Sequence, residues 1–346
     1  MLQRYSHYFK ILIIFLNFII PFALLYYLDA ASFEKTWKGR TFYMFFIWLF
    51  VLELLLNWGK YEAGTTSKQS SKKKIFTLSV ALTLPTVYVI IANFCGLNAK
   101  IIELVGQYNI KPPWADWMPL SIEYLAFTAL FGLVILLSYG LRGLANFSLS
   151  LSLMGAIGAL YIIDNLYPSG AFAPFQIIVP NTAALAASVL NLMGYGVTFL
   201  PLDPSLPPNV PILKVWNAQG YAIFGIGWPC SGVESLIIYT VTILLFLKKS
   251  NISWKQKTAY FVVGAAITYF INALRIASIF VIAISSGWNP WYTPPEVIQF
   301  HDYYGPLYSI IWIISYPLII IGSRILWSKS KDKLKKLFSK RIDSGT

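Results

Sequence analysis

Charge is the first thing this chain is short of. Only 12% of its 346 residues are Asp, Glu, Lys or Arg, about half the 25% usual for a soluble domain. With 57% hydrophobic residues, that shortage excludes an ordinary water-soluble globule. Cysteine is nearly absent. Cys95 and Cys230 are the only two, and nothing about them resembles a disulfide framework. Histidine is as scarce, with His7 and His301 alone. No HExxH, P-loop or Gly-rich dinucleotide pattern occurs, so neither a metal nor a nucleotide cofactor is expected. Acidic residues number 14 against 27 basic ones, a net charge of +13. A nucleic-acid-binding domain would gather that excess on one folded face. Here it comes in short clusters between apolar runs, so no nucleic-acid partner is expected.

What is present is a succession of apolar stretches. A membrane-crossing helix needs about 20 mainly apolar residues. Eight stretches qualify: 9–28, 41–58, 75–95, 121–140, 147–163, 232–247, 258–283 and 305–327. The first is longer than a usual signal-peptide core, and Asp29-Ala30-Ala31 makes a poor cleavage site. It is read as a retained span. Segment 171–199 is free of charge, yet Pro174, Pro180, Asn181, Asn191, Gly194 and Gly196 interrupt it. Crossing, re-entry and lying in the interface are its three alternatives.

Loop charge decides between them, because basic residues collect on the cytoplasmic side. Without a span at 171–199, the loops 1–10, 59–74, 141–146, 248–257 and 324–346 share one side and hold twenty Lys and Arg. The other side holds six: Lys35, Lys38, Arg40, Lys100, Lys111 and Lys214. A ninth span would erase that bias. The expected fold is therefore an all-α polytopic membrane protein of about eight transmembrane helices, with both termini cytoplasmic. Five spans fill 1–163, an extracytoplasmic segment fills 164–230, three spans fill 231–327, and a basic cytoplasmic tail closes the chain at 328–346. Loops of such length are usually functional. Within this one, Ile212–Trp216 and Tyr221–Phe224, around Asn217-Ala218-Gln219-Gly220, read as a β-hairpin or an irregular cap. No internal repeat of the kind found in transporters is visible.

Three features converge on the outer side. Trp228-Pro229-Cys230-Ser231-Gly232 opens a span, and Pro suits a helix start. Cys230 is expected at or near a helix N-terminus, where a thiolate is favoured. The bland alternative is a buried structural cysteine, which is also the reading given to Cys95, there either buried or lipid-facing. Arg275 lies in the span 258–283, about 12 Å from its outer end at the helical rise. Such depth is costly and demands a partner. Either it pairs with Glu234, the only acid of the neighbouring span, or it serves a developing oxyanion. Asn272 shares its helix face. His301, in Phe300-His301-Asp302-Tyr303-Tyr304-Gly305, is on the side of Cys230, whereas His7 is in the cytoplasmic tail. A Cys–His pair activates a thiol and then protonates a leaving amine. Asp302 is a candidate to orient the imidazole, although adjacent side chains in an α-helix point apart. The alternative for His301 is an interfacial aromatic belt with Trp288, Trp291, Tyr303 and Tyr304.

Cys230-Ser231-Gly232, then Asn272-x-x-Arg275-Ile276, then His301, in that order and 45 and 26 residues apart, resemble the exosortase/archaeosortase family. The resemblance covers roughly residues 180–327. It implies a membrane-embedded cysteine transpeptidase, with the nucleophile at Cys230, the arginine at Arg275 and the third polar residue at His301. In part of the archaeal branch that third position is an Arg, and Glu234 corresponds to no family position. The resemblance also implies substrates: exported proteins ending in a short motif, a transmembrane helix and a basic tail. They are cut at the outer face and passed to an acceptor, which in archaeal members is a membrane lipid. The long outer segment looks more like a compact archaeal member, of the thaumarchaeal branch, than a bacterial exosortase. Two rival readings remain: a transporter or lipid flippase with Arg275 and Glu234 lining its pathway, and a non-catalytic scaffold.

Overall fold

A computed structural model describes residues 2–56, 72–168, 171–201 and 210–343. The chain is mostly helical, as the apolar runs require. Ten helices of some length are labelled here α1 (Leu2–Leu28), α2 (Phe42–Leu56), α3 (Lys72–Phe94), α4 (Leu97–Gln107), α5 (Trp114–Asn146), α6 (Ser148–Leu166), α7 (Val179–Leu192), α8 (Val233–Lys249), α9 (Trp254–Ser285) and α10 (Gly305–Asp343). Each of the eight expected spans coincides with one of them. The Pro-rich stretch 202–208 and most of the basic loop 59–74 lie outside the described residues.

Six helical segments are long and apolar enough to cross a membrane, and Leu12–Leu28 and Phe42–Leu54 are shorter apolar helices. The protein is a multi-pass membrane protein. Two details differ from the sequence reading. Trp114–Asn146 is longer than the run 121–140, but its straight course breaks at Gly140, where φ is 69°, the left-handed region that glycine tolerates. Leu97–Gln107 is an additional helix with no buried residue. The segment 171–199, read from loop charge as not crossing, contains Ala173–Leu192, which has the length and composition to cross. Its beginning, at Phe175, sits edge-on against Trp228. Its end leads into β1 of a sheet whose last strand stops three residues before Trp228. The segment thus leaves the neighbourhood of Trp228 and the chain returns there.

That sheet realises the hairpin and adds a strand. Strands β1 (Gly196–Leu200), β2 (Ile212–Asn217) and β3 (Gly220–Gly225) are antiparallel in the order β1-β2-β3. Asn217 faces Gly220 across the two-residue turn, and its Oδ1 accepts the Gln219 and Gly220 N–H groups at 2.8 and 3.2 Å. Leu213, Val215 and Ala222 are buried. Phe224 meets Phe280 of α9 and Trp288 just beyond it, which seats the sheet over the C-terminal end of α9.

The first half of the chain packs through rings. Phe18, Phe22, Tyr43, Phe46, Phe127 and Phe131 form one buried aromatic cluster. Three ion pairs pin the loop between α1 and α2. Arg40 holds Glu123 in a two-pronged contact at 2.8 and 2.9 Å and reaches Asp29 at 3.1 Å. Lys38 pairs with Asp164 at 2.9 Å and hydrogen-bonds Asn165. Two of the six basic residues counted on the outer side are thus consumed inside the protein.

Candidate active site

The thiol sits on a turn made by its own sequence. Trp228–Ser231 forms a single helical turn with a proline in its first positions, where a missing N–H costs nothing. Gly232 ends it at φ 83° before α8 begins. Cys230 is therefore placed just ahead of the long helix, near its N-terminus, on a short turn of its own. Side-chain charges take over the task assigned to the helix terminus.

Those charges come from the far end of the chain. Cys230 Sγ lies 3.0 Å from His301 Nε2, and His301 Nδ1 lies 2.8 Å from Asp302 Oδ1. The last pair are neighbours in sequence. Side chains in an α-helix are about 100° apart per residue, but Phe300–Tyr304 is a π-turn, a wider winding often found at functional sites. It lets Asp302 back His301. The two side chains are 31% and 38% exposed, so the pair is open to a reactant. Burial pushes the Cys230 thiol up, but the charge and hydrogen bond of His301 and the charge of Arg275 outweigh it. The thiol is held below its ordinary value.

Arg275 is 5% exposed. Its helix runs to Ser285, placing it about 15 Å from the end at the helical rise, deeper than the sequence suggested. Its Nη2 donates to the His301 carbonyl at 3.2 Å, while its buried Nε has no partner. No hydrogen bond or ion pair joins it to Glu234 among the described residues. Gly305 makes its position available, since a Cβ there would sit 2.8 Å from Arg275 Nε. Asn272 is a brace: its Nδ2 donates to the Gly232 carbonyl at 3.2 Å, and its Oδ1 accepts from Ser309 Oγ of α10 at 3.0 Å. It ties the cysteine turn to the last helix. Glu234 is buried one turn along from the thiol.

A cavity of about 250 Å³ opens beside Cys230, His301 and Asp302, walled by Phe224, Ile276, Ile279, Phe280, Val297 and Ile298. A second, of about 540 Å³, meets it at Ile298 and Asp302 and is bordered by Glu34, Lys35, Gln299 and Tyr303. No group of three or more His, Cys, Asp and Glu side chains is gathered as metal ligands would be among the described residues. Cys95 is free and exposed, far along the chain from this site.

The sequence reading gave no place in the site to Thr36, Trp37, Lys38, Asp164 or Ser309. A signal existed for Asp164, the only acidic residue of its span, because an ionisable group in an apolar helix marks a partner. Nothing local marks Thr36 or Ser309.

Gly232 yields a prediction. Its φ is unfavourable for any other residue, and a Cβ would collide with the Asn272 side chain. Left-handed backbone costs about 1–2 kcal/mol and overpacking about 1–3 more. Gly232→Ala is expected to lower the thermal midpoint in detergent and to slow alkylation of Cys230. An unchanged midpoint and rate would refute the brace.

The multi-pass helical bundle brings a thiol and an imidazole to one cavity, with a buried guanidinium bound to the backbone carbonyl of the same histidine. The chain belongs to the transmembrane exosortase family, whose family model matches residues 37–316. That family consists of cysteine-type transpeptidases, and membership supports a membrane protein-sorting transpeptidase in general. No protein of curated function and no solved structure matches the chain.

Proposed function

We propose that this protein cleaves the C-terminal sorting signals of exported proteins and transfers the new C-terminus to an acceptor, a membrane lipid. The observation that carries the reading is the 3.0 Å contact between Cys230 Sγ and His301 Nε2, with Asp302 behind the imidazole. The Cys230 thiolate attacks the scissile carbonyl carbon. The oxyanion is stabilised by Arg275, whose buried Nε is uncommitted. The C–N bond breaks as the His301 imidazolium passes its proton to the leaving amine, and an acyl thioester remains on Cys230. His301 then takes the proton of the acceptor's hydroxyl or amine, or of water. The new acyl bond forms and the sulfur departs as thiolate.

The apolar cavity beside the thiol suits an apolar side chain next to the scissile bond. The loop-charge bias supports an active site near the extracytoplasmic face with both termini in the cytoplasm. In that topology 171–199 does not cross, which agrees with the return of the chain to Trp228.

The thioester supplies the test. Hydroxylamine added to cells or membranes should divert the product to a C-terminal hydroxamate, read by mass spectrometry on exported proteins that end in an apolar helix and a basic tail. Product formation with no hydroxamate at any hydroxylamine concentration would exclude the acyl-enzyme.

A further inference from the structure

The turn that carries His301 and Asp302 is held from outside by the opposite end of the chain. In a helix, the Asp302 carbonyl would receive the N–H of the residue four places on. That residue is Pro306, which has none. The loop between α1 and α2 supplies donors instead. The Thr36 N–H reaches the Asp302 carbonyl at 3.1 Å and the Trp37 N–H at 3.3 Å. The Thr36 hydroxyl donates to the same oxygen at 2.7 Å, with the Tyr303 carbonyl farther off at 3.4 Å.

The loop is itself fixed. Lys38, 7% exposed, is locked to Asp164 of α6 at 2.9 Å. Tyr161 donates its hydroxyl to the Thr36 carbonyl at 2.7 Å, and Tyr124 donates to the Gly39 carbonyl at 2.8 Å. The Trp37 ring stands edge-on to Trp228, two residues before the thiol. Burying a Lys–Asp pair costs several kcal/mol of desolvation per ion. Here it fixes the loop that hydrogen-bonds the π-turn.

We propose that Thr36 is a positioning residue of this site: with Trp37 it clamps the Asp302 carbonyl, holding the π-turn in the winding that lets Asp302 back His301 while His301 meets Cys230. The proposal rests on the Cys230–His301 reading. It gives the N-terminal half, which contributes none of the site's reacting groups, a part in the chemistry.

The test is the pH profile of Cys230 alkylation by iodoacetamide, in the full chain with Cys95→Ser as background. The charged and titratable groups around the thiol and imidazole are Asp302 on the same turn, Arg275 of α9, Glu234 of α8, Asp164 of α6 and Lys38 of the loop. Glu34, Lys35, Tyr303 and Tyr304 border the adjoining cavity. Thr36→Val keeps the side-chain shape and removes one donor. It is expected to cut the alkylation rate at pH 7 about tenfold, the order of one hydrogen bond, and to move the profile to higher pH. Thr36→Ser should retain the background profile. A folded Thr36→Val protein with an unchanged profile overturns the proposal. Should Thr36→Val fail to fold, the double variant Lys38→Met with Asp164→Leu decides. It releases the loop and removes two opposite charges together, so the net charge facing the thiol is kept. The same upward move is expected, and an unchanged profile again overturns the clamp. A background thiol that titrates at the ordinary value of about 8.5 would instead sink the Cys230–His301 pairing, and the clamp with it.

Discussion

Cys230→Ala is expected to abolish processing of C-terminal signals while the protein inserts and melts like the parent. Chemistry and fold separate cleanly here. Cys230 is half-buried on a one-turn helix beside a cavity. Removing one sulfur from such a place forfeits about 1 kcal/mol of packing. The backbone there is held by Gly232 and Asn272, which the substitution leaves alone. Without the thiol no acyl intermediate forms, and substrates should accumulate with their apolar helix and basic tail attached, as read by mass spectrometry. Cys230→Ser should rescue little. A hydroxyl resists ionisation far more than a thiol, and an imidazole at 3.0 Å cannot make up the difference. A loss of at least about 10³-fold is expected for serine. Normal maturation in the alanine strain would end the cysteine mechanism.

His301→Gln should lower the turnover rate by about 10²- to 10⁴-fold, with substrate affinity changed little. Glutamine can still hydrogen-bond Cys230 and Asp302, but it cannot carry a proton between the thiol, the leaving amine and the acceptor. Two readouts bear on this. Alkylation of Cys230 near pH 7 should fall, because the opposing charge that holds the thiol down is gone. The double variant Cys230→Ala with His301→Gln should be no worse than Cys230→Ala alone, since residues acting as one unit are not additive. A glutamine variant with unimpaired turnover would return His301 to the role of an interfacial ring among Trp288, Trp291 and Tyr303.

Much of the site was legible in rarity and order. Two cysteines and two histidines leave few candidates for cysteine chemistry, and Arg275 is conspicuous inside an apolar helix. Their sequence context carried the resemblance to the family that the chain belongs to. Elsewhere local backbone geometry decided what the residue types left open. Cys230 was expected at or near a helix N-terminus because Pro229 suits a helix start, and it lies just ahead of the long helix. The left-handed Gly232 then splits that helix, which the residue type alone did not announce. Asp302 was set against its role by α-helical geometry, and a π-turn, which has no simple sequence signature, reversed it.

The length of each apolar run against the thickness of a bilayer determined, from the sequence alone, that this is a helical membrane protein and roughly where its helices lie. The two short stretches around Asn217-Ala218-Gln219-Gly220 offered a hairpin or an irregular cap, and the hairpin formed. Both are local matters, set by residues within one or two turns of each other. Only the tertiary structure decided what meets at the thiol. Thr36 binds the Asp302 carbonyl across 266 residues of chain, Asn272 joins Gly232 to Ser309, and Lys38 finds Asp164. Which helix ends are neighbours follows from how the whole bundle packs, and no window of sequence contains that information.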